Sequence, residues 1–156
     1  MARGDFTLFE EFANTLLNGA IAWDLHASDV IKLGIVDNTD VATIIASAAA
    51  PDWSDWSTNE VGTGGNYVAD GITIDNCTYV EADGVGTFDA DDNSDLEQDG
   101  SGFTDAYWGI LYDSTLAGKN AIGFLDFGGP VSEVAGPIVI SWGVGGIFTV
   151  TITPHA

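Results

Sequence analysis

Two apolar segments dominate the expected fold: Tyr107-Trp-Gly-Ile-Leu-Tyr112 and Ala121-Ile-Gly-Phe-Leu-Asp-Phe127. Runs of this length and composition are typical of strands that are buried on both faces. The segment 113–120 between them is polar, so the pair predicts an antiparallel hairpin with a long loop. We expect Gly128-Gly-Pro130 to end the second strand.

Shorter strand patterns flank this hairpin on both sides. Val30–Val36 alternates, with Ile31, Leu33 and Ile35 on one side. Ile72–Val80 indicates a strand with a break at Asp75-Asn76, and Val85–Phe88 indicates another. The final segments, 138–142 and 147–152, are joined by a glycine-rich turn and predict a second hairpin. The small apolar segment 41–49 fits a short helix or a strand, and its pattern does not choose between them.

One substantial helix is predicted near the start, over about residues 5–19. Asp5 is the candidate N-cap and Asn18-Gly19 the candidate stop. The apolar face recurs at steps of three and four residues and consists of Phe6, Phe9, Ala13, Leu16 and Leu17. Together with seven to nine strands, this predicts a mainly β protein. We expect a single domain over residues 1–156, a β-sandwich or jelly-roll-like fold with one N-terminal amphipathic helix.

The charge balance excludes two classes of partner. The chain has 3 Lys and Arg residues against 24 Asp and Glu residues, for a formal net charge of -21. Such a surface repels nucleic acid and anionic membranes, because binding either requires clustered Lys and Arg. Self-repulsion among unpaired carboxylates is screened at high salt. We therefore expect a halophilic or marine setting, with an acidic protein of an ordinary organism as the alternative.

Residues that commonly carry catalysis are scarce in this chain. Its two histidines, His26 and His155, lie in no triad pattern, and no Gly-x-Ser-x-Gly motif accompanies them. Cys77 is expected to be a small buried residue within a strand. These observations predict a protein that is not an enzyme and needs no cofactor. A hydrolase that uses two carboxylates remains the alternative.

The most acidic stretch, residues 89–99, can be tested as a calcium site. Asp89, Asp91 and Asn93 fit the first three ligand positions of an EF-hand loop. Ser94 then stands where the loop needs Gly, and Gly100 where it needs Glu. The motif fails at both positions, so a solvated acidic loop without a metal is expected. A looser cation site, for calcium, would use Asp89, Asp91, Asn93 and Asp95.

The aromatic residues suggest where partners bind. Trp53 and Trp56 lie in a polar segment, a position typical of exposed interface aromatics. Phe6 and Phe9 on the predicted helix are further interface candidates. Trp108 and Trp142 lie in strand patterns and are expected in the core. A carbohydrate-binding module that uses Trp53 and Trp56 is an alternative function.

The order of the segments resembles a family of virion proteins. The matching pieces are residues 6–12 (Phe-Thr-Leu-Phe-Glu-Glu-Phe), 29–38, 64–74, 107–113, 121–128 and 146–152. They are spread along the chain from residue 6 to residue 152, in the same order as in small structural proteins that decorate or cement the capsids of tailed phages and related archaeal tailed viruses. The acidic stretch 89–99 departs from the family's pattern.

The resemblance implies a role in assembly without catalysis. It suggests a β-sandwich with an N-terminal helix that binds the major capsid protein on the capsid surface of the virion. Many copies that bind only the assembled lattice stabilise it by mass action. A homo-oligomer is the ordinary arrangement for such proteins, and we expect a trimer at a local threefold axis. A tail or neck protein of the same fold is an alternative.

Overall fold

The computed structural model describes residues 4–151, and this part of the chain is a mainly β, sandwich-like single domain with one α-helix near its start. In chain order the elements are β1 (Phe6–Leu8), α1 (Glu10–Asn18), β2 (Ile31–Val36), β3 (Ile72–Thr73), β4 (Thr78–Ala82), β5 (Val85–Asp89), β6 (Asn93–Leu96), β7 (Ala106–Asp113), β8 (Ala121–Val131), β9 (Ile138–Ile140) and β10 (Phe148–Thr151). Two 3₁₀ turns, Trp53–Asp55 and Ser57–Asn59, lie between β2 and β3. The predicted fold class is confirmed.

The largest sheet has five antiparallel strands in the order β1-β8-β7-β2-β3. Its centre is the predicted hairpin of β7 and β8, whose apolar runs are almost entirely buried. Gly128-Gly-Pro130 does not end β8, which continues to Val131 opposite Ala106. Gly128 and Gly129 adopt φ of 73° and 125°, which lets the strand bend and continue where side chains would be strained.

Two smaller antiparallel sheets complete the fold, with the orders β10-β5-β4 and β6-β9. The predicted second hairpin is wrong, because β9 pairs with β6 and β10 pairs with β5. Among the described residues, one bridge, from Gly143 to Gly146, links the two arms. The first arm packs against β6, where Ile140 is buried. The second arm lies beside β5, and the Ile147 N–H donates to the Phe88 carbonyl at 2.8 Å.

The N-terminal helix is shorter than predicted. Residues 6–8 form β1 on the edge of the large sheet, with Phe6 opposite Leu125, so strand pairing overrides the helical pattern there. The N-cap is Phe9 and not Asp5. The buried face of α1 contains Phe12 and Thr15, whereas Leu17 is 84 % exposed. The predicted end is confirmed, since Gly19 adopts φ of 69° and its N–H reaches the Thr15 carbonyl.

The remaining sequence expectations have mixed outcomes. The break at Asp75-Asn76 is confirmed, since β3 ends at Thr73 and β4 starts at Thr78. Segment 41–49 forms turns and is neither helix nor strand. Trp108 and Trp142 are half-buried and pack against the core. Among residues 4–151 no helix is long and apolar enough to cross a membrane.

Candidate functional site

Trp53 and Trp56 are core residues, so the prediction that they are exposed at an interface is wrong. Each is 1 % exposed. Trp53 stacks on Tyr112 at 5.2 Å between ring centroids, and its Nε1 donates to Asp70 Oδ1 at 3.0 Å. Asp52 caps the first 3₁₀ turn by accepting from Ser54 N, which holds this polar segment in a compact turn. The polar residues therefore face outward while the indole rings point into the core.

Phe9 is also buried, and Phe6 is half-buried. Phe9 stacks on Trp56 at 5.5 Å and contacts Phe124 at 5.3 Å. Phe6 meets Trp142 edge to face at 6.2 Å. Phe9 is therefore not exposed for an interface, whereas the interface role of the half-buried Phe6 stays a prediction. The two phenylalanines stabilise the packing of β1 and α1 against the large sheet.

The acidic stretch 89–99 is more ordered than a solvated loop. It contains the end of β5 and all of β6. A cavity of about 260 Å³ lies beside it, lined by Asp75, Asn76, Asp91, Asp92, Asn93, Ser94 and Asp95. Asp89, the first proposed ligand, is not part of the lining; its Oδ1 accepts from Ala90 N.

Four side-chain oxygen atoms that line this cavity accept internal hydrogen bonds. Asp91 Oδ2 accepts from Asn76 Nδ2 at 2.6 Å, and Asp92 Oδ1 accepts from Trp142 N at 2.9 Å. Asn93 Oδ1 accepts from Asp95 N, and Asn93 Nδ2 donates to Asp95 Oδ2. Within the described chain, no group of three or more His, Cys, Asp or Glu side chains is arranged to hold a metal.

His26 and Cys77 occupy different surroundings. His26 is exposed, with Nδ1 3.7 Å from Asp24 Oδ1. His155 lies outside the described residues. Cys77 is half-buried and precedes β4, so it is not within a strand as predicted. Burial, followed by the charge of Asp75, raises the pKa of its thiol to about 11, so the thiol stays protonated at neutral pH.

Two carboxylates are fully buried, Asp113 and Glu133. Asp113 Oδ1 accepts from Thr115 N at 2.8 Å. Burial, and then a hydrogen bond with the Asp29 carboxyl, raises the pKa of Asp113 to about 6. Glu133 Oε1 accepts from both Asn66 N and Asn66 Nδ2, at 2.9 and 3.0 Å. The Asp113–Asp29 and Glu133–Asn66 contacts join residues that are far apart in the chain. They stabilise the packing of the segments that contain these residues.

An apolar groove lies beside the β10-β5-β4 sheet and is here called the sheet groove. Its volume is about 360 Å³, and it is lined by Phe12, Leu16, Trp23, Asp24, Leu25, His26, Tyr79, Phe88, Phe148 and Val150. Phe12 anchors it from α1, with its ring 5.0 Å from Trp23 and 5.5 Å from Phe148. Aromatic walls with one carboxylate at the rim suit a side chain that combines an apolar stem with a positive charge.

Strand β4 forms one wall of the sheet groove and ends the β10-β5-β4 sheet. All five of its residues are exposed, with Tyr79 at 48 % and Val80 at 63 %. A β-carbon at Gly86 would lie 1.9 Å from the Tyr79 hydroxyl, so the tyrosine ring lies across this glycine. In the described part of the chain, no further strand pairs with the outer edge of β4.

Sequence reasoning missed this site, although one signal for it was present. Asp83-Gly84 joins β4 to β5, and both residues adopt positive φ, 53° and 81°. An Asp-Gly pair between two strand patterns is a strong hairpin signal, so the pairing of β4 with β5 could have been predicted in addition to the strands themselves. The groove itself could not, because its residues come from three distant parts of the chain.

The comparisons with known proteins identify no relative. The chain matches no family model, and neither a curated protein nor a solved structure is detectably similar to it.

Proposed function

We propose that this protein is a virion structural protein that decorates the capsid. In this role it binds the major capsid protein of the assembled lattice and stabilises the particle without catalysis. The segment order supports the proposal through its resemblance to the decoration proteins. The observation that carries it is the exposed β4 strand beside the sheet groove, an apolar surface with a free strand edge on an otherwise acidic protein.

The acidity fits a particle that works in brine. Among residues 4–151 two ion pairs are formed, Lys119 Nζ with Asp70 Oδ1 at 3.2 Å and the His26–Asp24 pair. Most carboxylates therefore face solvent without a cationic partner. Repulsion between them is screened at molar salt, and their hydration keeps neighbouring particles apart. A homo-oligomer, with a trimer as the first choice, is part of the proposal, and light scattering at high salt measures it.

The test is co-sedimentation with capsids that have been stripped of their accessory proteins. At high salt we expect the chain to sediment with the capsids. The amount of bound chain should saturate at a fixed ratio to the major capsid protein. It also expects the chain in purified virions. Finding the chain only in the host cell extract, and never in purified particles, contradicts a virion role.

Two alternatives give different results in the same experiment. A tail or neck protein appears in virions at low copy number and does not coat the capsid. A carbohydrate-binding module stays free of particles and binds a glycan array. Trp53 and Trp56, the residues first suggested for glycan binding, are buried and provide no platform for a sugar.

A further inference from the structure

We propose that the outer edge of β4 (Thr78–Ala82) binds an extended segment of a partner protein, which adds a strand to the β10-β5-β4 sheet. The segment carries Lys or Arg on the side that faces Tyr79 and Glu81, and a β-branched apolar residue on the side that faces Val80. The inference rests on the proposed function only in taking the partner to be a subunit of the particle.

The backbone of β4 offers the hydrogen bonds for this pairing. The two-residue turn Asp83-Gly84 makes Ala82 and Val85 a hydrogen-bonded pair. In an antiparallel ladder such pairs alternate with pairs that do not exchange hydrogen bonds. Tyr79 and Glu81 therefore direct their backbone N–H and C=O groups away from β5, toward the free edge. An added strand satisfies these four groups.

The side chains of β4 set what the added strand must carry. Tyr79 and Glu81 lie on the face of the sheet that lines the sheet groove, as the pairing of Tyr79 with Phe88 shows. Val80 lies on the opposite, solvent-exposed face and is 63 % exposed. A Lys or Arg that lies between Tyr79 and Glu81 on this face can pack against the tyrosine ring and pair with the Glu81 carboxylate, whose Oε1 also accepts from Gly84 N at 2.8 Å. On the other face, a β-branched residue beside Val80 removes apolar surface from water.

Charge complementarity identifies the partner as basic and not as a second copy. The three strands of this sheet contain no Lys or Arg. The described cations, Lys32 in β2 and Lys119 before β8, belong to the large sheet, and Lys119 is paired with Asp70. A second copy would bring another net charge of -21 to this edge. Among its described residues a second copy has no Lys or Arg on this sheet, so we take the positive charge to come from a different protein.

The edge also has little of the usual protection against strand addition. Exposed edges are commonly blocked by Lys, Pro or a bulge. The β4–β5 register runs without interruption from Thr78 opposite Asp89 to Ala82 opposite Val85, and β4 contains neither Lys nor Pro. Glu81 alone deters pairing, and it deters only partners that are themselves acidic.

Peptide binding to the full chain tests the inference directly. The probes are two capped octapeptides, one of alternating Lys and Val and one of alternating Glu and Val. We expect the Lys-Val peptide to shift the amide resonances of Tyr79 and Glu81, and the Glu-Val peptide to leave them unchanged. Glu81→Lys should weaken binding of the Lys-Val peptide about tenfold. Glu97→Lys, which changes an exposed charge beyond the end of β6, should change it less than about twofold.

The same variants separate this inference from the proposed function. If the wild-type chain and both variants co-sediment equally with stripped capsids, and the peptide shifts lie away from β4, the inference is overturned while the virion role stands. If the Lys-Val peptide binds at β4 and the chain never co-sediments, the inference stands and the capsid role fails. Equal peptide binding by Glu81→Lys and Glu97→Lys also overturns the inference.

Discussion

Replacing Asp113 with Asn is expected to stabilise this protein at neutral pH. Asp113 is fully buried at the end of β7, where its Oδ1 accepts from Thr115 N. Its other oxygen, Oδ2, has no donor among the described residues, and the carboxyl lies within hydrogen-bonding reach of Asp29. Asn keeps the acceptor for Thr115 and adds an amide that can donate to the Asp29 carboxylate. At neutral pH the ionised Asp113 carboxylate is buried at a cost in free energy. The neutral Asn side chain avoids that cost, so the substitution should stabilise the folded state.

The raised pKa of Asp113 sets the size and direction of the effect. The value rises from 3.8 to about 6. The folded state therefore holds this proton more tightly than the unfolded state, and the contribution to stability is complete below pH 3.8 and lost as the pH rises through 6. The difference corresponds to about 2–3 kcal/mol above pH 7. Asp113→Asn recovers this loss, which raises the melting temperature by roughly 5–10 °C.

Thermal unfolding at pH 7.5 and at pH 4, in high salt, measures the difference. The gain should be large at pH 7.5 and small at pH 4, where Asp113 is protonated. Asp37→Asn is the matched control, because Asp37 Oδ1 accepts from Thr39 N in the same local geometry. It should gain no more than about 0.5 kcal/mol. A loss of stability in Asp113→Asn at pH 7.5, or an equal gain in the control, would refute the reasoning.

Three further predictions follow from the charge and from the core. The melting temperature should rise steadily from 0.1 to 3 M NaCl as repulsion among carboxylates is screened, and a flat or falling curve would contradict this. Gly34→Ala places a β-carbon 2.4 Å from the Trp53 ring, so urea unfolding should show a loss of about 1–3 kcal/mol, with Gly62→Ala, which meets nothing within 4 Å, as the control. Tyr67→Phe leaves the Ile35 N–H without its acceptor at 2.8 Å and removes the hydrogen bond to Glu60. Chemical denaturation should show that the free energy of unfolding falls by about 1–3 kcal/mol. An unchanged midpoint would mean that water replaces the hydroxyl.

The central strands were predictable because their sequence pattern is set by burial. The runs 107–112 and 121–127 in β7 and β8 are apolar except for Asp126, since both faces of these strands are covered. Strand pairing was harder to predict than the strands themselves. The sequences of β9 and β10 carry no signal that each pairs with a strand far away in the chain. The same limit applies to β1, where the edge of β8 captures residues whose spacing suits a helix.

The site was less predictable than the fold. Trp53 and Trp56 appear exposed in sequence because polar residues surround them, but their stacking partners, Tyr112 and Phe9, lie in other elements. The sheet groove joins α1, the segment 23–26 and the β10-β5-β4 sheet, and tertiary packing alone brings them together. The Asp83-Gly84 pair is the sequence signal that predicts the exposed hairpin of β4 and β5.

Cryo-electron microscopy of stripped capsids incubated with the purified protein in high salt tests the central claim most directly. A decorating role predicts ordered density on the outer lattice at a repeated symmetry position, with the β10-β5-β4 sheet against the major capsid protein. A bare lattice, with the protein free in solution, would contradict a decorating role.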